Sequence, residues 1–266
     1  MPLSVPSSPV VSDVARPRLL LIFGTRPEAI KMAPLLHALQ ADDGFDVRLC
    51  VTAQHRQMLD EVLALFELQV DHDLDVMTAG QSLNGLCSRL LERLDGVMAA
   101  EQPDLVLVHG DTSTCFMASL AAFQRGIAVA HVEAGLRTGN LQAPWPEEAN
   151  RRLTAVLTRL HFAPTESARH NLLAEGVADA AICVTGNTVV DALQWMCQHL
   201  EELGWQPPAG TLTQLPEGAP LVLITGHRRE NFGDGFAQIC QALAELARRD
   251  PQGQFVYPVH LNPQVQ

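Results

Sequence analysis

Short apolar runs alternate with longer amphipathic segments along most of the chain. The apolar runs that come before residue 188 occupy residues 18–24, 47–53, 105–110, 127–134, 159–165 and 181–187. The segments between them have helical periodicity, most clearly at 27–40 and 82–100. Apolar strands joined by helices are typical of a parallel sheet with helices on both faces. The pattern therefore predicts an α/β fold.

The same pattern begins again after an interruption that is rich in proline and glycine. A helical segment at 189–203 is followed by the Pro/Gly-rich stretch 206–220, and then by apolar runs at 221–227 and 254–260 that flank a helix at 235–249. A chain of 266 residues also exceeds the usual single-domain size of about 100 to 150 residues, although a single domain is the alternative. Two strands are too few for a doubly wound domain, so we expect the second domain to be incomplete. The predicted division is a mobile extension at 1–16, a Rossmann-like domain at 17–187 and a partial nucleotide-binding domain at 188–266.

Composition indicates a soluble globular protein and excludes some partners. Hydrophobic residues make up 47% of the chain and charged residues 18%, and the formal net charge is -12. A strongly negative protein repels polyanions, so neither nucleic acid nor an anionic membrane surface is expected as a partner. Six scattered cysteines without a C-x-x-C pair indicate reduced thiols in a cytoplasmic protein. No apolar run approaches the roughly 20 residues needed to span a bilayer.

Polar and glycine residues follow each predicted strand of the first domain. These short segments are residues 24–26, 54–56, 110–112, 133–135, 165–167 and 186–188. Open α/β sheets bind ligands at the carboxyl ends of their strands. The sequence therefore predicts a ligand site at this edge of the sheet.

Two cations follow the first strand. Gly24 ends the strand, Pro27 marks a helix start, and Arg26 and Lys31 lie around the first helical turns. A helix N-terminus attracts anions, so a phosphate site is one interpretation, and solvated surface charge is the other. No Walker-type phosphate loop is present, and no G-x-G-x-x-G follows the first strand.

Acidic residues end two further strands and open a helix. Asp111 follows the strand at 105–110, where it is either functional or the N-cap of the next helix. Glu133 ends a strand, which Glu does not favour, so catalysis is the preferred interpretation. Glu147 and Glu148 lie in a first helical turn, where acidic residues are also normal dipole partners.

The second domain begins with a basic segment. His227, Arg228 and Arg229 end its first predicted strand. Cations there suit a diphosphate, and solvated charge is the alternative. The remaining histidines form no cluster with cysteine or carboxylate, so no metal is predicted. Cys115 is expected to be a core residue, because free cysteine is usually buried.

Seven segments, in this order, closely resemble the non-hydrolysing UDP-N-acetylglucosamine 2-epimerase family of bacteria. They are GTRPEAIKMAPL (24–35), TAQHRQMLD (52–60), VHGDTSTC (108–115), HVEAGLRTGNLQAPWPEEANRRLT (131–154), GNTVVDAL (186–193), TGHRREN (225–231) and YPVHLNP (257–263). The resemblance implies a GT-B-like arrangement of two Rossmann-like domains, with the nucleotide sugar in the cleft between them. It implies a cytoplasmic homodimer that interconverts UDP-GlcNAc and UDP-ManNAc without a cofactor, for cell-surface polysaccharide biosynthesis. The family's chain continues beyond the last matching segment, so we expect this chain to be truncated at its C-terminus.

The resemblance also implies roles for individual residues. The positions that match the family's binding and catalytic residues are Arg26, Lys31, Asp111, Glu133, Glu147 and His227. Those that match a possible activator site for a second UDP-GlcNAc are Gln54, Gln57, Glu148, Arg229 and His260. Asp111, Glu133, Glu147 and His227 are expected to be catalytic.

The family mechanism is elimination of UDP to 2-acetamidoglucal, followed by re-addition. The three carboxylates are expected to move protons or to stabilise the oxocarbenium-like transition state, and Arg26, Lys31 and His227 to stabilise the departing diphosphate. Three alternatives stay open: a hydrolysing epimerase, a GT-B glycosyltransferase, and a truncated paralogue that is catalytically impaired.

Overall fold

The structure is a computed structural model. It describes residues 16–53, 56–78, 80–206, 210, 215–216, 218–225 and 234–258. Strands and helices alternate through these residues. The strands are β1 (Arg18–Phe23), β2 (Asp46–Val51), β3 (His72–Asp73), β4 (Leu105–His109), β5 (Ala128–Val132), β6 (Leu160–Ala163), β7 (Ile182–Val184), β8 (Leu221–Leu223) and β9 (Gln254–Val256). The helices are α1 (Arg26–Ala41), α2 (Arg56–Leu65), α3 (Leu83–Glu101), α4 (Ser113–Gln124), α5 (Glu147–Leu157), α6 (Glu166–Ala174), α7 (Val189–Glu202) and α8 (Asp234–Arg249).

Seven strands form one parallel sheet. Their order is β3-β2-β1-β4-β5-β6-β7, and each neighbouring pair is parallel. β1 therefore lies inside the sheet. The chain places β2 and β3 on one side of β1, and then β4, β5, β6 and β7 in order on the other side. The strand order reverses between β1 and β4, which is where open α/β sheets bind their ligands.

Both faces of this sheet are buried, which explains why its strands are continuously apolar. Along β1, Leu19, Leu21 and Phe23 pack into the core on one face, and Leu20 and Ile22 pack into the core on the other. Successive side chains of a strand point to opposite faces, so a strand that is covered on both sides needs apolar residues at every position.

Gly24 allows the end of β1 to pack closely against its neighbours. A Cβ atom at this position would lie 2.0 Å from Oγ1 of Thr52 and 2.6 Å from Oγ1 of Thr114. These two hydroxyls lie 2.9 Å apart and hydrogen-bond each other across the end of β1. Only glycine fits between the end of β2 and the start of α4.

The structure confirms the predicted α/β fold with parallel sheets. Every apolar run that the sequence assigns to a strand contains one, and the helices expected at 189–203 and 235–249 are α7 and α8. The sequence did not predict β3. This strand has only two residues, both of them polar, so it leaves no apolar run to detect.

The chain divides into two compact units between Leu200 and Glu201. The first unit contains the seven-stranded sheet, and α7 belongs to it because Ala192, Trp195 and Met196 pack against the core. The second unit contains β8 and β9, which pair in parallel, and α8. The boundary expected at residue 187 comes before α7 and stays a prediction.

None of the helices among the described residues is both long enough and apolar enough to cross a membrane.

Candidate functional site

The loops that follow β1 and β4 are tied together at the point where the strand order reverses. Glu28, in the first turn of α1, is 2% exposed. Its Oε2 accepts hydrogen bonds from the backbone N–H groups of Gly24 at 3.1 Å and Thr25 at 2.8 Å, and its Oε1 accepts one from Oγ1 of Thr112 at 2.7 Å. Burial raises the pKa of Glu28, and these hydrogen bonds act in the opposite direction. The Glu28 side chain therefore fixes the loop after β1 against the loop after β4.

Glu28 also changes the predicted phosphate site at the start of α1. It already occupies the backbone N–H groups of Gly24 and Thr25, which an anion would otherwise use. Arg26 is exposed, and no residue in the described ranges hydrogen-bonds its guanidinium group. An anion at this place would therefore depend on the side chain of Arg26.

The side chain of Lys31 binds a carboxylate of the predicted site. Its Nζ is 2.5 Å from Oε2 of Glu133, which follows β5, and the side chain of Lys31 is 23% exposed. The same oxygen accepts a hydrogen bond from Nδ2 of Asn187 at 2.8 Å. Asn187 lies in the loop between β7 and α7, and its Oδ1 accepts a hydrogen bond from the N–H group of Val189 at the start of α7. Residues from three separate segments therefore meet at Glu133.

Glu133 is ionised at neutral pH. Burial by itself would raise the pKa of Glu133, but charge interaction with His109 and the hydrogen bond and charge of Lys31 outweigh it and lower this pKa to about 2. A general base works best when its pKa is near the working pH. While Lys31 is bound to it, Glu133 is therefore a weak base, suited to stabilising positive charge.

Asp111 is held by Arg151 of α5. Oδ2 of Asp111 accepts hydrogen bonds from Nη2 of Arg151 at 2.7 Å and from Nε at 3.2 Å. The N-cap of α4 is Thr112, whose hydroxyl accepts from the N–H group of Cys115. The capping interpretation of Asp111 is therefore wrong, and its side chain is directed to the site.

Arg151 links Asp111 to Glu133. It is only 5% exposed. Its Nη2 lies 3.5 Å from Oε1 of Glu133, and its Nη1 donates to the backbone carbonyl of Glu133. Sequence reasoning missed Arg151, although it comes four residues after Glu147 and therefore lies on the same face of that helix.

The backbone at Glu133 is in the left-handed region, with a φ of 62°. This conformation is uncommon for a residue other than glycine and costs about 1 to 3 kcal/mol. The hydrogen bond from Arg151 to the Glu133 carbonyl helps to hold it. Arg151 thus fixes both the backbone and the side chain of this residue.

Glu147 and Glu148 are adjacent but have different environments. Glu147 is the first residue of α5 and is half-buried, and in the part of the chain that the structure describes no group hydrogen-bonds its carboxylate. Glu148 is 3% exposed, and its two oxygens accept from the N–H groups of Thr138 at 3.1 Å and Gly139 at 3.2 Å. Glu148 therefore anchors the loop before α5. Its expected contact with an activator stays a prediction.

Three buried histidines lie on the adjacent strands β4, β5 and β6. They are His109, His131 and His161, and each is buried. His131 pairs in register with His161, whereas His109 pairs with Val132 and therefore points to the other face of the sheet. Burial lowers the pKa of all three, that of His109 to about 4, so His109 is neutral at pH 7. Nε2 of His131 donates to the Gly110 carbonyl at 2.7 Å. Among the described residues, neither ring nitrogen of His109 has a hydrogen-bond partner.

The structure therefore brings Lys31, Asp111 and Glu133 into one hydrogen-bonded network through Arg151. Within the described ranges, no hydrogen bond joins Arg26 or Glu147 to this network. Gln54, His227, Arg229 and His260 lie outside the described residues, and so does the side chain of Gln57. Cys115 is buried in the core, as predicted. Among the residues that the structure describes, no three or more His, Cys, Asp or Glu side chains are grouped so that they could hold a metal ion.

The sequence and the structure are both similar to known epimerases. The sequence profile of the family described as UDP-N-acetylglucosamine 2-epimerase matches residues 37–266. UDP-N-acetylglucosamine 2-epimerase from Yersinia pestis is 57% identical over 252 residues, which cover 93% of this chain and 66% of the relative.

Two solved structures extend this similarity to the fold. The UDP-GlcNAc 2-epimerase from Neisseria meningitidis bound to UDP-GlcNAc has a TM-score of 0.85 at 49% identity, covering 93% of this chain and 67% of that one. The S. aureus MnaA structure with UDP has a TM-score of 0.79 at 42% identity, covering 94% of this chain and 64% of that one. The chain thus spans about two thirds of the length of these relatives.

Proposed function

Since the chain belongs to the UDP-N-acetylglucosamine 2-epimerase family, we propose that its first unit supplies the groups that interconvert UDP-GlcNAc and UDP-ManNAc. The observation that carries this proposal is the network in which Arg151 holds Asp111 and Glu133 while Lys31 binds Glu133. It places two carboxylates and two cations where the strand order reverses and beyond the ends of β4 and β5. Acid-base groups and cations are what an elimination with a diphosphate leaving group requires.

The chemistry explains why these residue types suit the reaction. The proton on the second carbon of the sugar is not next to a carbonyl, so simple removal would leave a poorly stabilised carbanion. In the proposed route a base takes this proton, the electrons of the C–H bond form the C1=C2 double bond, and the C1–O bond breaks with its electrons going to UDP. The product is 2-acetamidoglucal. UDP then adds back to C1 while a protonated side chain returns a proton to the opposite face of C2, so no redox cofactor is consumed.

We assign the roles according to the partners of each side chain. Arg26 and Lys31, with His227 outside the described residues, stabilise charge on the diphosphate. Glu133, which is ionised, stabilises positive charge that develops on the sugar ring. Proton transfer at C2 falls to Glu147 or Asp111, or to Glu133 once Lys31 has left it. Glu147 has no hydrogen-bond partner among the described residues and is the least constrained of the three.

Family membership also leads us to propose the setting of the reaction. The intact protein is a cytoplasmic homodimer, and its product serves cell-surface polysaccharide biosynthesis. A second UDP-GlcNAc would act as an activator at Gln54, Gln57, Glu148, Arg229 and His260. These proposals follow from the resemblance of the sequence to the family.

The test is to incubate the chain with UDP-GlcNAc in heavy water and to follow the sugar by NMR. A longer form of the protein that covers the full length of its relatives is run in parallel. We expect deuterium at C2 of both UDP-GlcNAc and UDP-ManNAc without added NAD. Asp111→Asn should reduce exchange at least a hundredfold. Glu175→Gln, which removes a carboxylate that pairs with Arg137 away from this network, is the matched control.

Each product pattern has a definite meaning. Exchange in the longer form alone assigns the activity to the family's full length and leaves this chain as an inactive part. Free N-acetylmannosamine together with UDP would indicate a hydrolysing enzyme. Absence of exchange in both forms, with both correctly folded, would show that the proposed function is wrong.

A further inference from the structure

His109 is a polar side chain that the structure buries at the site without a partner. It is the last residue of β4 and is 3% exposed. In the part of the chain described, neither Nδ1 nor Nε2 has a hydrogen-bond partner. Buried polar groups in native proteins are nearly always paired, so an imidazole with two unpaired nitrogens needs an explanation.

The nearest carboxylate oxygen explains why His109 is unpaired. Nε2 of His109 lies 3.9 Å from Oε2 of Glu133, which is too far for a hydrogen bond. That oxygen already accepts from Lys31 at 2.5 Å and from Asn187 at 2.8 Å. A carboxylate oxygen has about two lone-pair positions, so both are taken. Lys31 therefore occupies the position on Glu133 that His109 would otherwise use.

Lys31 is the partner of Glu133 that a ligand can remove. Its side chain is 23% exposed, and its ammonium group has three donors, of which the structure uses one on Glu133. Asn187 is fixed at the start of α7, and Arg151 is buried and bound to Asp111. An anion with more than one negative charge, such as a diphosphate, competes well for a lysine that is held by a single carboxylate.

We propose that Lys31 and His109 exchange at Glu133. When the diphosphate of a nucleotide takes Lys31, Nε2–H of His109 moves by about 1 Å and replaces it on Oε2. His109 is thus a positioning residue, and this proposal rests on the proposed function.

The exchange would make the strength of the base depend on the ligand. The groups around His109 are Glu133 after β5, Lys31 on α1, Arg151 on α5 and the neighbouring His131 on β5. When Lys31 leaves, Glu133 loses one of the groups that lower its pKa, while the new hydrogen bond from His109 keeps the carboxylate in place. Glu133 is then freer to accept a proton when a diphosphate is bound than when Lys31 is paired with it.

The exchange can be tested without turnover by NMR of the protein labelled with ¹⁵N at the histidine imidazoles. The His109 signals are identified by their loss in His109→Gln. In Lys31→Met, which frees the position on Glu133, we expect the Nε2–H proton of His109 to shift downfield and to exchange slowly with water. The His161 signals are the internal control and should not change. An unchanged His109 in Lys31→Met would overturn the proposal.

UDP is the probe for the ligand-driven step. Adding UDP to the unchanged protein, labelled with ¹⁵N at its histidine and lysine side chains, should give the same His109 shift as Lys31→Met, together with a change in the ¹⁵N shift of Lys31. If UDP binds while Lys31 stays on Glu133 and His109 stays unbonded, the exchange does not occur. If UDP does not bind, the proposed nucleotide site is wrong. The His109 signals of Lys31→Met then show by themselves whether His109 can replace Lys31 on Glu133.

Kinetics of the form that turns over UDP-GlcNAc separate positioning from stability. His109→Phe should lower kcat roughly tenfold, change KM less than about twofold, and move the acid limb of the kcat pH profile, because the replacement donor is lost. His109→Gln, whose amide nitrogen can reach the same position, should restore kcat to within about threefold. His161→Phe should leave kcat unchanged. Equal pH profiles for His109→Phe and the unchanged protein would contradict the proposed role.

Discussion

Arg151 donates two hydrogen bonds to a single oxygen of Asp111, from Nη2 at 2.7 Å and from Nε at 3.2 Å, across a sequence separation of 40 residues. The same guanidinium group contacts both the side chain and the backbone carbonyl of Glu133. A buried cation that is shared by two carboxylates holds them at a fixed separation. The position of α5 in the fold therefore decides the geometry of the carboxylates that follow β4 and β5.

Loss of this cation should destabilise the protein strongly. Arg151→Met leaves Asp111 and Glu133 without their shared donor, and breaking a buried ion pair from one side costs about 3 to 5 kcal/mol. We expect a decrease in the free energy of unfolding near the lower end of this range, because Asp111 is partly exposed. Urea denaturation followed by circular dichroism measures it. Arg125→Met removes an exposed pair with Asp95 and should cost less than about 1 kcal/mol; similar losses for the two variants would contradict this prediction.

The buried histidines should make stability depend on pH. Burial lowers the pKa of His109 from 6.5 to about 4, so between these values the unfolded chain binds a proton that the folded protein does not. The free energy of unfolding should therefore fall as the pH falls from about 6.5 to about 4, by up to about 1.4 kcal/mol per pH unit for this histidine. Urea denaturation at several pH values in this window measures the slope.

His109→Phe is the variant that isolates this contribution. It should have a shallower slope than the unchanged protein over the same window. The pKa of His131 is lowered in the same direction and for the same reason, so part of the slope should remain. An identical slope in His109→Phe would show that this histidine does not account for the effect.

The close packing at the end of β1 should make Gly24 intolerant of a side chain. In Gly24→Ala the new Cβ would meet Thr52 Oγ1 at 2.0 Å and Thr114 Oγ1 at 2.6 Å. We expect a loss of about 1 to 3 kcal/mol from overpacking, measured by thermal or urea denaturation. Gly96→Ala in α3 is the matched control, because no atom lies within 4 Å of a Cβ there and alanine favours helices. Gly96→Ala should stabilise by up to about 1 kcal/mol; if Gly24→Ala does the same, the packing argument is wrong.

Glu148 should prove to be an anchor for the loop before α5. Glu148→Ala removes the acceptors of two backbone hydrogen bonds, so the amides of Thr138 and Gly139 should exchange with deuterium roughly fivefold faster or more. Hydrogen exchange measured by NMR reports each amide separately. Glu147→Ala changes the neighbouring carboxylate, which accepts no hydrogen bond from the described residues, and should leave both rates unchanged. Equal effects of the two variants would contradict the assignment.

The local features of the fold could be read from the sequence. Apolar residues at every position of 19–23 require a strand that is buried on both faces, and 235–249 has the periodicity of an amphipathic helix, so both elements were predictable. The candidate site could be located to the carboxyl ends of the strands, because Asp111 and Glu133 follow apolar runs there. By contrast, β3 could not be predicted, since its two polar residues pair with β2 only because the sheet brings them together.

Tertiary structure alone decided the partners of the site residues. The sequence determined that Lys31, Asp111, Glu133 and Arg151 are present and on which elements they lie. It did not determine that Lys31 binds Glu133, 102 residues away, or that Glu148 is buried while Glu147 is not. Adjacent helical residues point in different directions, and which direction faces the core depends on how the helix packs. Hydrogen bonds form only over about 3 Å, so such contacts follow from the folded arrangement and not from spacing along the chain.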